Sequence, residues 1–537
     1  MLDHFEFRLL RHKTLMRKHS SGIDSTRTRS LPSKLDCKRA RVWMNRCFCI
    51  LAFLFLSPLL CFSQNRINVW MLSKQFVALD CGIDFNSGFA DTFSVWKELE
   101  FFATNASICD SIGELLFYTN GIYIANKEND SLKNCNGFNP GYATDYYADD
   151  GLGVSQGAII LPKPELSSSF TVFHISGEEL DNGSQLQPLH LRYSEVDMND
   201  DNGLGGVIVG KKGVSILNDT LVWGRLTACK HANGRDWWII THRWNSDLYY
   251  KFLLTPDTII GPMTQHIGSA IIKDDIVGQA CFSPDGSKFG YINRNYNFDY
   301  MEFNRCTGEF YNHVNIVLPD SNLSQGISFS PNSRFIYCNT YTQLFQFDTW
   351  SPDLAASIIL IDTIPFVQPG IDDWFAVEML APDNKIYIST YNGVKAMHVI
   401  NYPDLPGTDC AFERKGLTLP TYNLYAIPNH PNYDLGPLPG SECDTLYLSN
   451  IAGSENSFSF RISPNPSSTN INIVYNTKET CVFNLFDING RTVASATLYH
   501  YFKNRLLDVS GLPGGIYFAH ISCNGEKIWS EKVIVQH

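Results

Sequence analysis

One short unit recurs through the middle of this 537-residue chain: an apolar strand, a tight turn built on Pro with Asn, Asp or Gly, and a second apolar strand. Its clearest copies are "ACFSPDGSKFGYI" (Ala280–Ile292), "ISFSPNSRFIYCN" (Ile327–Asn339) and "EMLAPDNKIYIST" (Glu378–Thr390). Phe282, Phe329 and Leu380 hold equivalent places in them, 47 and 51 residues apart. The turn chemistry is local: Pro presets φ, Asp or Asn hydrogen-bonds its own backbone, and Gly accepts positive φ. Flanking residues such as Phe289, Tyr291, Phe335, Ile336, Ile386 and Tyr387 suit strands that pack on both faces. Helical periodicity is almost absent between 66 and 440. A chain that repeats one such unit buries each sheet against the next copy.

Weaker copies lie upstream at Ser107–Gly121, Ile159–Ser176 and Thr227–His242. A seventh is expected from Tyr425–Leu435 joined to an early strand around Phe76–Phe85, which would close a ring by mixing strands from both ends. Four-stranded units of ~40–50 residues around a central channel define a β-propeller. The expected fold is therefore all-β: a seven-bladed propeller over 66–436, with six or eight blades as alternatives, then a linker at 437–459.

The remaining residues, 460–537, alternate short apolar runs with turns at Asn489-Gly490, Pro513-Gly514-Gly515 and Asn524-Gly525. Asn-Gly between apolar runs is a hairpin signal, because both central residues of a type I′ turn need positive φ. The pattern predicts a small Ig-like β-sandwich. The order "SPNP … FNLFDINGRTV … LLDVSGLPGGIYFAHIS … EKVIVQ" also resembles the type A C-terminal sorting domain of the type IX secretion system of Gram-negative bacteria. That resemblance implies handling by the type IX machinery, passage across the outer membrane, and then removal of the domain or attachment to the cell surface.

The other end agrees with export. Residues 47–62 are an apolar run preceded by Arg41 and Arg46, interrupted by Pro58 and followed by Ser63-Gln64. It falls short of the ~20 residues of a membrane span and reads as a signal-peptide core cleaved between Ser63 and Gln64. Met44 would give a signal peptide of ordinary size, so translation is expected to start there rather than at Met1. No other stretch is apolar enough to span a membrane, and the mature protein is expected to have no transmembrane segment.

Removing 1–63 changes the electrostatics. The chain has 42 basic and 54 acidic residues; without the twelve basic and four acidic residues of the leader, 30 and 50 remain, a formal charge near −20. Such a surface repels phosphate backbones, which excludes nucleic acid as a partner. Fifteen cysteines include four in the leader. Export to an oxidising compartment favours some disulfides, with Cys481–Cys523 and Cys410–Cys443 expected, whereas Cys229, Cys281 and Cys338 read as small buried apolar residues.

The body is also similar to a group of exported propeller proteins related to WD-type repeats, which often carry this sorting domain. The matching stretches are "GIDFNSG" (Gly82–Gly88), "ASICDSIGELLFYTNG" (Ala106–Gly121), "SQGAIILPKP" (Ser155–Pro164), "LRYSEVDMNDDNGLGGV" (Leu191–Val207) and "KHANGRDWWIITHRWNSD" (Lys230–Asp247). The resemblance implies the fold and the address, and carries no activity with it.

Motifs for chemistry are scarce. There is no G-x-S-x-G elbow, H-E-x-x-H, phosphate loop or EF-hand pattern, and neither cofactor nor metal is expected. The candidates for ligand binding are Trp237, Trp238, His242 and Trp244, whose aromatic rings would stack on a sugar or peptide; alternation equally suits a strand buried on both faces. Asp372, Asp373 and Glu378 are the carboxylates that would serve acid–base hydrolysis if held across a cleft, although adjacent Asp residues after Pro369-Gly370 also suit a solvated turn. Loops 134–151 and 198–206 would form a recognition rim. These features favour a secreted or cell-surface binding or adhesion protein for an extracellular glycan or protein ligand over an enzyme. The alternatives are a secreted glycan-active hydrolase or lyase and a structural component of a surface or gliding layer.

Overall fold

The computed structural model describes residues 65–536 apart from 73–78, 98, 181–184, 272–276, 294–296, 320–323, 366–372, 445–458, 478, 489, 500–503 and 524–525. The leader, including Met44, Ser63 and Gln64, lies outside the described residues.

Among the described residues between Val69 and Asn423 the strands form seven successive antiparallel sheets, besides the antiparallel pair Glu178–Leu180 and Gln185–Gln187. The first sheet holds Val69–Leu72, Asp80–Asp84 and Asp91–Val95, and the second Ala106–Cys109, Leu115–Thr119 and Ile124–Asn126. The third begins with Ala158–Pro162 and Ser169–Ile175; its strand His190–Asp197 pairs with both Gly206–Val207 and Val214–Asn218. The fourth to seventh are four-stranded meanders that begin with Thr227–Lys230, Gly278–Phe282, Ser324–Phe329 and Phe375–Leu380.

Apolar cores lie between successive sheets and run full circle. Trp238, Ile240 and Tyr249 of the fourth sheet share a core with Phe289, Tyr291 and Met301 of the fifth. Phe298 and Tyr300 of the fifth pack with Phe329 and Phe345 of the sixth, and Phe335 and Leu344 of the sixth with Phe375 and Ile388 of the seventh. Trp70 of the first sheet then stands edge-on to Tyr387 of the seventh, with ring centroids 5.9 Å apart. Sheets that bury both faces on neighbours, the last against the first, make a β-propeller.

Each sequence copy occupies the first two strands of a sheet, from Ser107–Gly121 in the second to Glu378–Thr390 in the seventh. The turns follow the expected chemistry. Ser283 Oγ donates to Asp285 Oδ1 at 2.6 Å, and the same carboxylate oxygen accepts from Ser287 N–H at 2.9 Å. Ser330 and Asn332 repeat the first contact at 2.7 Å. The residue that must adopt positive φ is Gly286 in one copy (φ 71°), Ser333 in the next (61°) and Asn384 in the third (62°).

Two expectations are corrected. Tyr425–Leu435 form no strand, and among the described residues the first sheet holds Val69–Leu72, Asp80–Asp84 and Asp91–Val95; residues 76–78 of the expected early strand lie outside the described residues. The segment instead runs as a strap that bonds to several sheets through side chains. Asn429 Nδ2 donates to the carbonyls of Ala158 (3.0 Å) and Leu226 (2.8 Å), Tyr433 Oη to that of Ile160 (2.6 Å), and Asn432 Nδ2 to that of Pro284 (2.7 Å). These four carbonyls belong to three separate segments of the chain, which a single ladder strand in this position would not satisfy together. Second, Cys443 is bonded to Cys306, with Cα atoms 5.6 Å apart, and Cys410 is a free buried thiol. The strap carries Cys443 past the outer hairpin of the fifth sheet, where Leu438 N–H also donates to Ala232 O at 2.8 Å.

The C-terminal residues form two sheets around one core. Ser459–Ser463, Asn470–Asn476 and Asn504–Asp508 make one; Cys481–Phe486, Thr492–Leu498, Gly515–Cys523 and Glu526–Val535 make the other. Inward residues Ile471, Ile473, Phe483, Leu485, Ala519, Ile521 and Val533 are all buried. Cys481 and Cys523 face each other in register and are disulfide-bonded.

Candidate ligand-binding cavity

The innermost strands of the fourth to seventh sheets, the loops around Asn68 and Asn86, and the strap enclose a cavity of about 640 Å³. Its size is that of pockets that hold small organic ligands. Pro284, Pro331 and Pro382 of the repeat turns line it too.

Amide side chains of Gln156, Gln279 and Asn429 form part of its lining. Gln156 Nε2 donates to Ala280 O (2.9 Å) and to Asn429 Oδ1 (3.0 Å), while its Oε1 accepts from Ala280 N–H (2.8 Å). Gln279 repeats the device one step round the ring: Oε1 accepts from Ile327 N–H (3.2 Å) and Glu378 N–H (3.1 Å), and Nε2 donates to Glu378 O (2.6 Å). These carboxamides satisfy backbone groups that the inner edge of each sheet leaves open. The strands approach closely here because Gly326 has no side chain; an added Cβ would lie 2.6 Å from Ala376 O and 3.0 Å from Glu378 N.

Lys230, His430, Glu378 and Asp434 on the cavity wall differ in charge. Burial lowers Lys230 to a pKa of about 8 and His430 to about 4, and raises Glu378 to about 8. Asp434 stands at the strap end. At neutral pH, Glu378 is thus a neutral acid, with Oε2 accepting from Asn339 Nδ2 at 2.9 Å. His430 is neutral, its Nε2 donating to Ser107 O at 2.9 Å.

The sequence candidates lie as follows. Trp237 and Trp238, on Trp237–His242, are buried in two different cores, the first against Tyr433 and the second donating its indole N–H to Arg305 O at 2.8 Å. His242 is buried beside Tyr249 and Tyr291, and Trp244 packs against the same core. None of the four lines the cavity. Asp372 lies outside the described residues. Asp373 pairs with Lys415 Nζ at 3.1 Å. Glu378 lines the cavity and Asp373 does not. Among the described residues no group of three or more His, Cys, Asp or Glu is placed to hold a metal ion.

Gln156, Gln279, Lys230 and Asn429 were not singled out by sequence. A signal existed in "SQGA" (Ser155–Ala158), "GQAC" (Gly278–Cys281) and "SQGI" (Ser324–Ile327), a Gln at the start of three innermost strands.

Residues 461–536 match the secretion system C-terminal sorting domain. No curated protein sequence matches the chain. A solved Lactobacillus plantarum protein is similar at 12% identity over 68% of this chain and 99% of its own, with a TM-score of 0.36. The β-propeller domain of Myceliophteria thermophila Cps50 (Swd1) is similar at 10% identity over 59% of this chain and 89% of its own, with a TM-score of 0.34. Among the described residues no helix is long and apolar enough to cross a membrane. With its ring of sheets and its matched terminus, the chain is a β-propeller that ends in a secretion-system C-terminal sorting domain, the label of the type IX export route.

Proposed function

We propose that this protein is an exported binding protein whose seven sheets act as seven blades and whose ligand enters the cavity at the centre of the ring. In this reading the leader is removed between Ser63 and Gln64, the type IX machinery carries the rest outward, and the propeller works at the cell surface or in the medium. Residues 437–459 then serve as the link to the terminal sandwich.

The observation that carries the reading is the cavity itself: about 640 Å³, lined by amides and by residues of the repeat turns. Its wall mixes Phe282, Phe329 and Met379 with amides and a few titratable groups, a lining that orients a ligand by hydrogen bonds and excludes water with apolar surface. The carboxyls on the described wall are the buried Glu378 and the exposed Asp434 at the strap end.

The test is a glycan and peptide array probed with the full chain and with Met379→Trp, which fills the cavity. Binding by the wild type that is lost in the folded variant supports the reading; absence of any binding, or binding unaltered in the variant, refutes it.

A further inference from the structure

The four-stranded sheet of the C-terminal sandwich turns one face to the core and the other to solvent. Along Gly515–Cys523 the buried residues are Tyr517, Ala519, Ile521 and Cys523, so Ile516, Phe518 and His520 point outward. The solvated face of an antiparallel sheet is ordinarily polar. Here Ile516 and Phe518 are apolar and 46% and 45% exposed, and Val482 on Cys481–Phe486 is 41% exposed. The register gathers an apolar centre, because Phe486 lies opposite Phe518 and Ile516 opposite Ile534. The other sheet of the sandwich does not repeat the pattern. Along Asn470–Asn476, Ile471 and Ile473 are buried, and the alternate positions hold Asn470, Asn472 and Val474.

The charges on the apolar face have one sign. Lys532 stands opposite Phe518, and Lys527 opposite Ser522, with its Nζ 3.3 Å from His520 Nε2. Glu531 is paired with Ala519, on the core side. Among the described side chains of these four strands no carboxylate points outward. The whole domain departs from the rest of the protein in the same sense. Residues 461–536 hold seven Lys or Arg against five Asp or Glu, whereas the rest of the chain beyond residue 63 holds 23 against 45.

Resting on the reading that the terminal domain is the export label, we infer that this outer face is the surface by which a component of the secretion machinery recognises it, and that the component presents an apolar centre rimmed by carboxylates. The match over 461–536 states that a secretion system sorts by this domain. An exposed apolar patch with charges beside it is the anatomy of a protein interface. A label must also be told from its cargo. An acidic reader repels the strongly acidic body and attracts the one domain whose apolar face carries only cations. Two lysines are too few to hold a lipid surface, which takes clusters of ~4–8.

The experiment is export of the full chain from a Gram-negative host with a working type IX system, scored as the exported fraction against the fraction kept in the periplasm. The melting temperature of each purified variant is recorded beside it. Phe518→Ser and Lys532→Glu each lower the exported fraction roughly tenfold or more, whereas Lys532→Arg, which keeps the charge, retains export. Leu506→Ser, at an exposed position on the other sheet, leaves export unchanged. Should Phe518→Ser fail to fold, Lys532→Glu, a change at an exposed side chain, carries the test. Export unaltered in the folded variants, or lost equally in Leu506→Ser, overturns the inference while leaving the export reading standing. A dimer of the full chain, or binding to phosphatidylglycerol vesicles, that Phe518→Ser abolishes with export unchanged gives the face to another occupant and also overturns it. Wild-type chain retained in the periplasm, or exported equally by a host without the type IX system, overturns both.

Discussion

Gln156 pairs with the backbone of Ala280 as a neighbouring strand would, its carboxamide both donating to the Ala280 carbonyl at 2.9 Å and accepting from the Ala280 N–H at 2.8 Å. A side chain from the start of the third sheet thereby caps the inner edge of the fifth. Gln156→Met keeps the volume and leaves the Ala280 groups and Asn429 Oδ1 unpaired. The expected loss is about 3 kcal/mol of unfolding free energy, read by chemical denaturation, because buried groups left without partners bear their full desolvation cost.

Gly326→Ala is expected to be more harmful than its size suggests. The new methyl would press on Ala376 O at 2.6 Å, a backbone atom that cannot swing aside. A loss of more than about 2 kcal/mol is expected. Gly440→Ala is no fair control, since Gly440 has φ 78°; Gly511, with open space around it, is. Thermal melts of the Gly326 and Gly511 variants side by side check the difference.

The disulfide between Cys306 and Cys443 closes a long stretch of chain and bolts the strap to the fifth sheet. Cys443→Ser is expected to cost about 2–4 kcal/mol and to make the strap susceptible to protease. Cys410→Ala, which removes a buried free thiol, costs only about 1 kcal/mol. Limited proteolysis with mass mapping separates the two outcomes.

Two buried groups give the propeller opposite pH dependences. Burial holds His242 at a pKa of about 3, so its neutral form is favoured by folding; the stability this contributes is present above the ordinary histidine range and is lost as pH falls from there towards 3. Burial raises Glu378 to about 8, so its protonated form is favoured; that stability is full below the ordinary carboxyl range and declines as pH rises from there to 8. Glu378→Gln, neutral and of the same shape, is expected to raise the melting temperature at pH 8 and flatten the alkaline limb. His242→Phe is expected to flatten the acid limb. Melting temperature against pH for both variants checks the signs.

The turns from Ala280 to Ile292 and their copies were legible because Pro, Asp and Gly act within four residues of themselves. The strap was not, because Asn429 and Tyr433 owe their places to carbonyls of Ala158, Leu226 and Ile160, which are remote in sequence. Alternation around Trp237 and Trp238 marked a strand but not its surroundings, since a strand covered on both faces carries apolar residues on each. Cys443 could not be assigned to Cys306 by spacing, because the strap's path decides which thiol it reaches. The cavity escaped for a similar reason: Gln279 and Lys230 are ordinary polar residues until the ring closes around them.

Hydrogen–deuterium exchange on the full chain, with and without a ligand found by the array, tests whether the cavity holds the ligand. New protection is expected at Gly278–Ser283 and His430–Leu435, the inner strand and the strap that border the cavity. Protection confined to outer strands such as Ile259–His266, with the strap unchanged, would contradict it.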